Sequence, residues 1–249
     1  MESRLDFEMY PQPDGTTCGP TCLQAIYNYY GDEIPIAQVI EEVPQLEDGG
    51  TLEVLLGIHA LRRGYRARLY TYNLKLFDPT WFSGSSEDLA EKLKIQMKVK
   101  TGRRLQLSSR AHLEFLELGG EIHFEDLTPE VLRRPLRKGT PILTGLSATY
   151  LYGCAREVGV IPEYDDIRGV ATGHFVVLCG YDPSERSVLL ADPLMPNPVS
   201  REPVYAVDID RLVCAILLGI LTYDGNLLLL TPPSPRKIHG GPARRRQSR

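Results

Sequence analysis

The chain has 249 residues, 43% of them hydrophobic, enough to bury a substantial core as one large domain or two small ones without disulfide staples. Its formal net charge of −4 hides an asymmetry, because residues 236–249 carry six cations (Arg236, Lys237, Arg244, Arg245, Arg246 and Arg249) and no acid. The body keeps 22 basic against 32 acidic side chains, a balance of about −10 that argues against general nucleic-acid binding.

In chain order, residues 1–8 place acids where a secretory signal needs a basic end and an apolar run. Residues 19–30 repeat apolar and small side chains (Cys22, Leu23, Ala25, Ile26, Tyr29, Tyr30) at helical spacing and stop at Gly31. Pro20 falls in the first turn, where a missing N–H costs nothing, so Cys18 stands at the start of a mostly buried helix. Helices follow near 36–42 and 51–63, then a strand over 65–73. Residues 85–97 and 108–118 are amphipathic helices, the second stopped by Gly119 and Gly120. Thr128 and Pro129 open a short helix that Pro135 ends or kinks. From there the pattern turns to strands, at 141–146, 174–181, 187–191, 203–207, 217–222 and 227–230, divided by Gly and Pro turns. Helices first and antiparallel strands later predict an α+β fold in two packed parts. The apolar runs 213–221 and 227–230 are too short to span a bilayer, so a cytoplasmic protein is expected. Residues 1–235 make the folded domain, and 236–249 a basic, disordered tail.

Five cysteines (Cys18, Cys22, Cys154, Cys179, Cys214) form neither a disulfide framework nor a set at metal-ligand spacing. No metal and no cofactor are implied. A thiol attacks a carbonyl as thiolate, favoured by the positive end of a helix and by a nearby imidazolium. Cys18 meets the first condition, and His174, on a predicted strand, supplies the second once the two parts pack. The preceding Gly173 leaves room for a substrate near the backbone. The imidazole needs an acceptor on its other nitrogen. Asp192 ends the next strand and returns beside His174 across a hairpin, whereas Asp182, in Asp182-Pro183-Ser184, reads as the turn itself. Gln12, held between Pro11 and Pro13 six residues before Cys18, offers a side-chain amide to an oxyanion, with the Cys18 N–H as the second donor. His59, His112, His123 and His239 read as ordinary structural histidines. Cys22, Cys154, Cys179 and Cys214 read as inert packing.

The pattern of Gln12, Cys18-Gly19-Pro20, Gly173-His174-Phe175-Val176-Val177 and Ala191-Asp192-Pro193 resembles the double-glycine leader peptidases of the papain clan and their stand-alone relatives. Classical members of that group remove leader peptides from bacteriocins as the front domain of an export ATPase. The resemblance covers residues 10–31 and 140–193. It implies a papain-like cysteine proteinase fold, with Cys18 as nucleophile on a helical lobe. His174 as acid/base and Asp192 as orienter would lie on an antiparallel sheet lobe, and Gln12 would be the oxyanion donor. The interval from Cys18 to His174 is longer than in the leader-processing domains, which makes residues 72–125 an insertion that would serve as lid or specificity surface. The expected partner is a peptide or protein substrate, with no membrane and no nucleic acid. Two other readings stay open: an acyltransferase or transpeptidase that hands the acyl group to an amine, like the phytochelatin synthases, and a non-catalytic peptide-binding module.

Overall fold

The structure, a computed structural model, describes residues 3–47, 49–159 and 163–233. The basic tail of residues 236–249 therefore lies outside the described residues. In chain order the elements are β1 (Ser3–Arg4), α1 (Cys18–Tyr29), α2 (Ile36–Glu42), α3 (Glu53–Arg62) and β2 (Arg66–Thr71). A 3-10 turn (Pro79–Ser83), α4 (Ser86–Val99), α5 (Arg103–Glu117), β3 (Glu121–His123) and α6 (Pro129–Leu136) make the middle of the chain. The later part holds β4 (Ile142–Ser147), α7 (Ala148–Tyr152), β5 (Glu157–Val158), β6 (Glu163–Tyr164), β7 (Gly173–Asp182), β8 (Ser187–Ala191) and β9 (Val204–Asp208). It closes with α8 (Ile209–Leu218), a second 3-10 turn (Gly219–Thr222) and β10 (Asn226–Thr231).

One sheet organises the molecule, in the order β3-β2-β10-β4-β7-β8-β9, with β1 on the free length of β7 beyond β4. All its pairs are antiparallel except β2 with β3. Alternation along the strands gives the sheet two buried faces. Ala67, Leu69, Leu143, Phe175, Val177, Leu228 and Leu230 pack with residues of α1, α2 and α3. Ile142, Leu146, Val176, Leu178, Val188, Leu190 and Leu227 pack with residues of α6, α7 and α8 on the other face. The α+β class is as expected, but the helices sandwich a single sheet, and β2, from the helix-rich first half, is built into that sheet beside β10.

Two local differences have clear causes. Residues 217–222, expected as a strand, complete α8 and the 3-10 turn that follows it. The Asp208 carboxylate caps α8 by accepting from the N–H groups of Asp210 and Arg211; the helix buries Leu212, Ala215 and Ile216, while Leu217 and Leu218 at its end and Leu221 in the 3-10 turn are exposed. Short apolar runs do not distinguish strand from buried helix by periodicity. Residues 72–125 form a satellite core (Leu76, Phe77, Leu89, Leu93, Leu105) against α3 and the β2 edge, with the Phe115 ring seated over Gly57. None of its described residues lines the cavity at Cys18, so it does not sit there as a lid.

Helix α1 approaches β7 closely because Gly19 has no side chain. A Cβ there would lie 2.9 Å from Thr51 Cγ2 and 3.2 Å from both Leu56 Cδ1 and Phe175 Cδ2. One turn further on, the Cys22 thiol donates to the Phe175 carbonyl at 3.3 Å, which ties the helix to the strand residue after His174. Gly19→Ala is expected to lower stability in urea unfolding by about 1–3 kcal/mol, the usual cost of overpacking a filled core.

Candidate active site

Cys18 is the first residue of α1, where the N–H has no intrahelical acceptor. The loop before it is built by Asp14, whose carboxylate accepts from the Thr16 N–H and hydroxyl, both at 2.8 Å. Thr17, the residue preceding the helix, accepts from the Asp14 N–H at 3.2 Å, so the loop fixes the point at which the helix begins. The Gln12 N–H donates to the Pro193 carbonyl at 2.9 Å, which binds this loop directly to the segment after Asp192.

His174 and Asp192 meet as the hairpin reading predicts, with Nε2 2.8 Å from Asp192 Oδ1 and both side chains buried. The register holds a detail that the sequence did not reveal. At the tip, β7 and β8 pair Asp182 with Ser187, whereas nearer the site they pair Leu178 with Leu190 and Val177 with Ala191. The change comes from a β-bulge between Leu178 and Gly180, which leaves Cys179 as the extra residue. Continuing the tip register would set Asp192 opposite Val177. The bulged register sets it opposite Val176, on the same face as His174 and one diagonal step away.

The Asp192 carboxylate accepts four hydrogen bonds. Oδ1 takes the imidazole and the Leu194 N–H (2.9 Å), and Oδ2 takes the hydroxyls of Tyr205 (2.7 Å) and Tyr152 (2.9 Å). Burial opposes its charge, but the His174 hydrogen bond and charge, with the Tyr205 and Leu194 donors, hold its pKa below the usual carboxylate value. Asp192 is thus both an Asx-turn residue before Pro193 and the partner of the imidazole. Asp182 is a turn residue only, accepting from Ser184 and Glu185 at the far end of the hairpin. Sequence reading missed the two tyrosines. Tyr205 sits at an inward position of β9, and Tyr152 comes from α7, a one-turn helix capped by Ser147 that no periodicity announces.

With Nε2 committed to Asp192, Nδ1 is the nitrogen left for Cys18. Burial disfavours the imidazolium, but the hydrogen bonds to Asp192 and Cys18 and their negative charge outweigh it, raising the His174 pKa to about 10. The side chains of Gln12, Cys18 and His174 line one cavity of about 470 Å³, with Tyr152, Glu157, Tyr164, Thr172, Leu194, Pro196 and Asn197. The Gln12 amide nitrogen donates to the Asp14 carbonyl at 2.6 Å through one of its two hydrogens. Gly173 lines this cavity as well and is also packed from behind. A Cβ there would come within 2.6 Å of Thr222 Oγ1, so packing against the 3-10 turn excludes a side chain.

The remaining cysteines are free, and they differ in exposure: Cys22 and Cys179 are buried, Cys154 is half-buried and Cys214 is exposed. Cys154 and Cys214 are therefore not the buried packing residues expected of them. His59 lies between the Tyr27 hydroxyl and Glu42, and His112 bonds the Ser108 carbonyl, both away from the cavity. Among the described residues no group of three His, Cys, Asp or Glu side chains could hold a metal ion. No helix among them is long and apolar enough to cross a membrane.

A family model described as the Peptidase_C39 like family matches residues 4–206, a segment that holds Gln12, Cys18, His174, Asp192 and both tyrosines. Among solved structures, the chain is similar to a putative C39-like peptidase from Bacillus anthracis, with 14% identity over 94% of this chain and 99% of that one and a TM-score of 0.47. It is also similar to the peptidase domain of Streptococcus ComA, a bi-functional ABC transporter involved in a quorum sensing pathway, with 16% identity, coverages of 91% and 99% and a TM-score of 0.43. Xylellain, a cysteine protease from Xylella fastidiosa, gives 14% identity, coverages of 92% and 85% and a TM-score of 0.43. No curated protein matches the sequence.

Two measurements test the electrostatics. Tyr205→Phe removes a donor from a buried carboxylate and is expected to cost about 1–3 kcal/mol in denaturant unfolding. The folded-state pKa of His174 lies above its ordinary 6.5, so its contribution to stability is full below pH 6.5 and is lost as pH rises through about 10. In Cys18→Ala, NMR titration should find the His174 pKa below the wild-type value, because the hydrogen bond to Cys18 and its electrostatic interaction with the imidazole are gone.

Proposed function

The chain belongs to the Peptidase_C39 like family and is a papain-like cysteine peptidase, and on that premise we propose that Cys18, His174, Asp192 and Gln12 carry its chemistry. The observation that supports this most directly is the buried imidazole held between the Asp192 carboxylate and Cys18 at a helix start.

In this reading the Cys18 proton resides on His174 Nδ1, and the Sγ thiolate attacks the carbonyl carbon of a peptide bond. The carbonyl π pair moves to oxygen, where the Cys18 N–H and the second Gln12 N–H meet the oxyanion. As the tetrahedral adduct collapses, the C–N bond breaks and Nδ1 gives its proton to the departing amine, leaving a thioester. Nδ1 then takes a proton from an attacking water. The C–S bond breaks, and the acid product leaves with the thiolate–imidazolium pair restored. Asp192 keeps Nε2 protonated throughout, so that Nδ1 is always the nitrogen that exchanges protons. Tyr152 and Tyr205 hold the carboxylate in place and touch no reacting atom.

The test is intact-mass labelling with a peptidyl vinyl sulfone, followed by peptide mapping because Cys214 is also exposed. Wild-type protein should gain one probe on Cys18, Cys18→Ala should gain none in the cavity, and His174→Ala should label about a thousandfold more slowly or worse. Labelling at an undiminished rate in His174→Ala would overturn the assignment.

A further inference from the structure

The wall of the cavity facing the site carries one carboxylate, Glu157, and with His174 it is the only ionisable group besides Cys18 and the two tyrosines among the described lining residues. Glu157 lies in β5, paired to Tyr164 of β6 on one side and to Val170 on the other through two backbone hydrogen bonds of 3.1 and 2.9 Å. The Thr172 hydroxyl donates to Glu157 Oε2 at 2.9 Å. Thr172 is itself fixed, its N–H on the Thr149 hydroxyl (3.0 Å) and its carbonyl accepting from the Ala148 N–H (2.9 Å).

No basic side chain among the described residues pairs with this carboxylate. The nearest cations in sequence are otherwise engaged: Arg156 donates to the Asp166 carbonyl and Arg168 pairs with Asp165. Glu157 is half-buried and accepts one neutral hydrogen bond, so it lines the cavity without a counter-ion among the described residues. Thr172 is two residues from His174, about 7 Å along an extended strand. A carboxylate anchored on Thr172 therefore stands within reach of a substrate side chain one or two residues from the scissile bond. The Tyr164 and Tyr152 rings beside it suit the aliphatic stem of such a side chain.

We propose that Glu157, seated on Thr172, forms a subsite for a cationic side chain, so that the cleft takes peptides bearing lysine or arginine next to the cleaved bond. The inference rests on the peptidase reading and adds the substrate class to it. A desolvated cation opposite Glu157 gains a partner, an isosteric neutral chain gains nothing, and an acidic one is repelled.

A positional-scanning library of fluorogenic tetrapeptide amides tests it, with vinyl sulfone probes carrying lysine, norleucine or glutamate as a readout that needs no turnover. At one position the wild type should prefer lysine or arginine over norleucine by tenfold or more in kcat/KM, and the lysine probe should label Cys18 faster by a similar factor. Glu157→Gln should collapse that ratio at least tenfold, and Glu157→Lys should turn the preference toward glutamate. Equal rates for lysine and norleucine in the wild type, or a ratio unmoved by Glu157→Gln, would overturn the subsite and leave the peptidase reading standing. Labelling of no probe at Cys18 would overturn both.

Discussion

The site depends on one buried carboxylate. Asp192 would be a liability in the interior if it lacked partners, because a desolvated charge costs several kcal/mol. Here four donors from four places meet it: the imidazole of β7, the backbone after Pro193, a tyrosine of β9 and a tyrosine of α7. Each donor is carried by a different element, so the carboxylate has its full set of partners only when all of them are assembled. The imidazole's orientation is thereby made a property of the whole C-terminal half of the sheet, and in the proposed mechanism that orientation is what presents Nδ1 to Cys18.

Cys18 arrives by a separate route. Its helix is docked through Gly19 and Cys22 onto Phe175, and the preceding loop is bonded through the Gln12 N–H to Pro193. Both attachments fall within a residue of His174 or Asp192. The N-terminal loop, the central strand and the end of β8 are thus cross-linked at one end of the sheet, and the cavity is what remains between them and the Glu157 wall.

Much of this was legible in the sequence. Cys18 before Gly19-Pro20, His174 at the head of an apolar strand and Asp192 at the end of the next one each carry a local pattern tied to backbone geometry, and such patterns survive folding. Asp192 could be chosen over Asp182 because Asp182-Pro183-Ser184 is a turn signal, and Asp182 does build the turn. What was not legible is long-range. Tyr152 and Tyr205 lie 22 and 31 residues from His174 in sequence with nothing in their surroundings to mark them. The strand expected at 217–222 failed because so short an apolar run fits a strand or the end of a helix alike, and here Leu217, Leu218 and Leu221 are exposed. Gly173 lines the cavity, and its packing against Thr222 is a further constraint that exists only once α8 has folded back onto the sheet.

The bulge at Cys179 has a consequence for the hairpin as a mechanical part. The tip and the base of the β7–β8 ribbon run half a pleat out of phase, and the single unpaired residue is where the phase is reset. The tip can therefore obey the demands of its own turn, and the base those of the imidazole, without either dictating the other's parity. Such a joint uncouples the register of the outer ribbon from that of the acid. The sheet below the joint has no such freedom: there, a shift of one residue would turn the carboxylate away from its histidine.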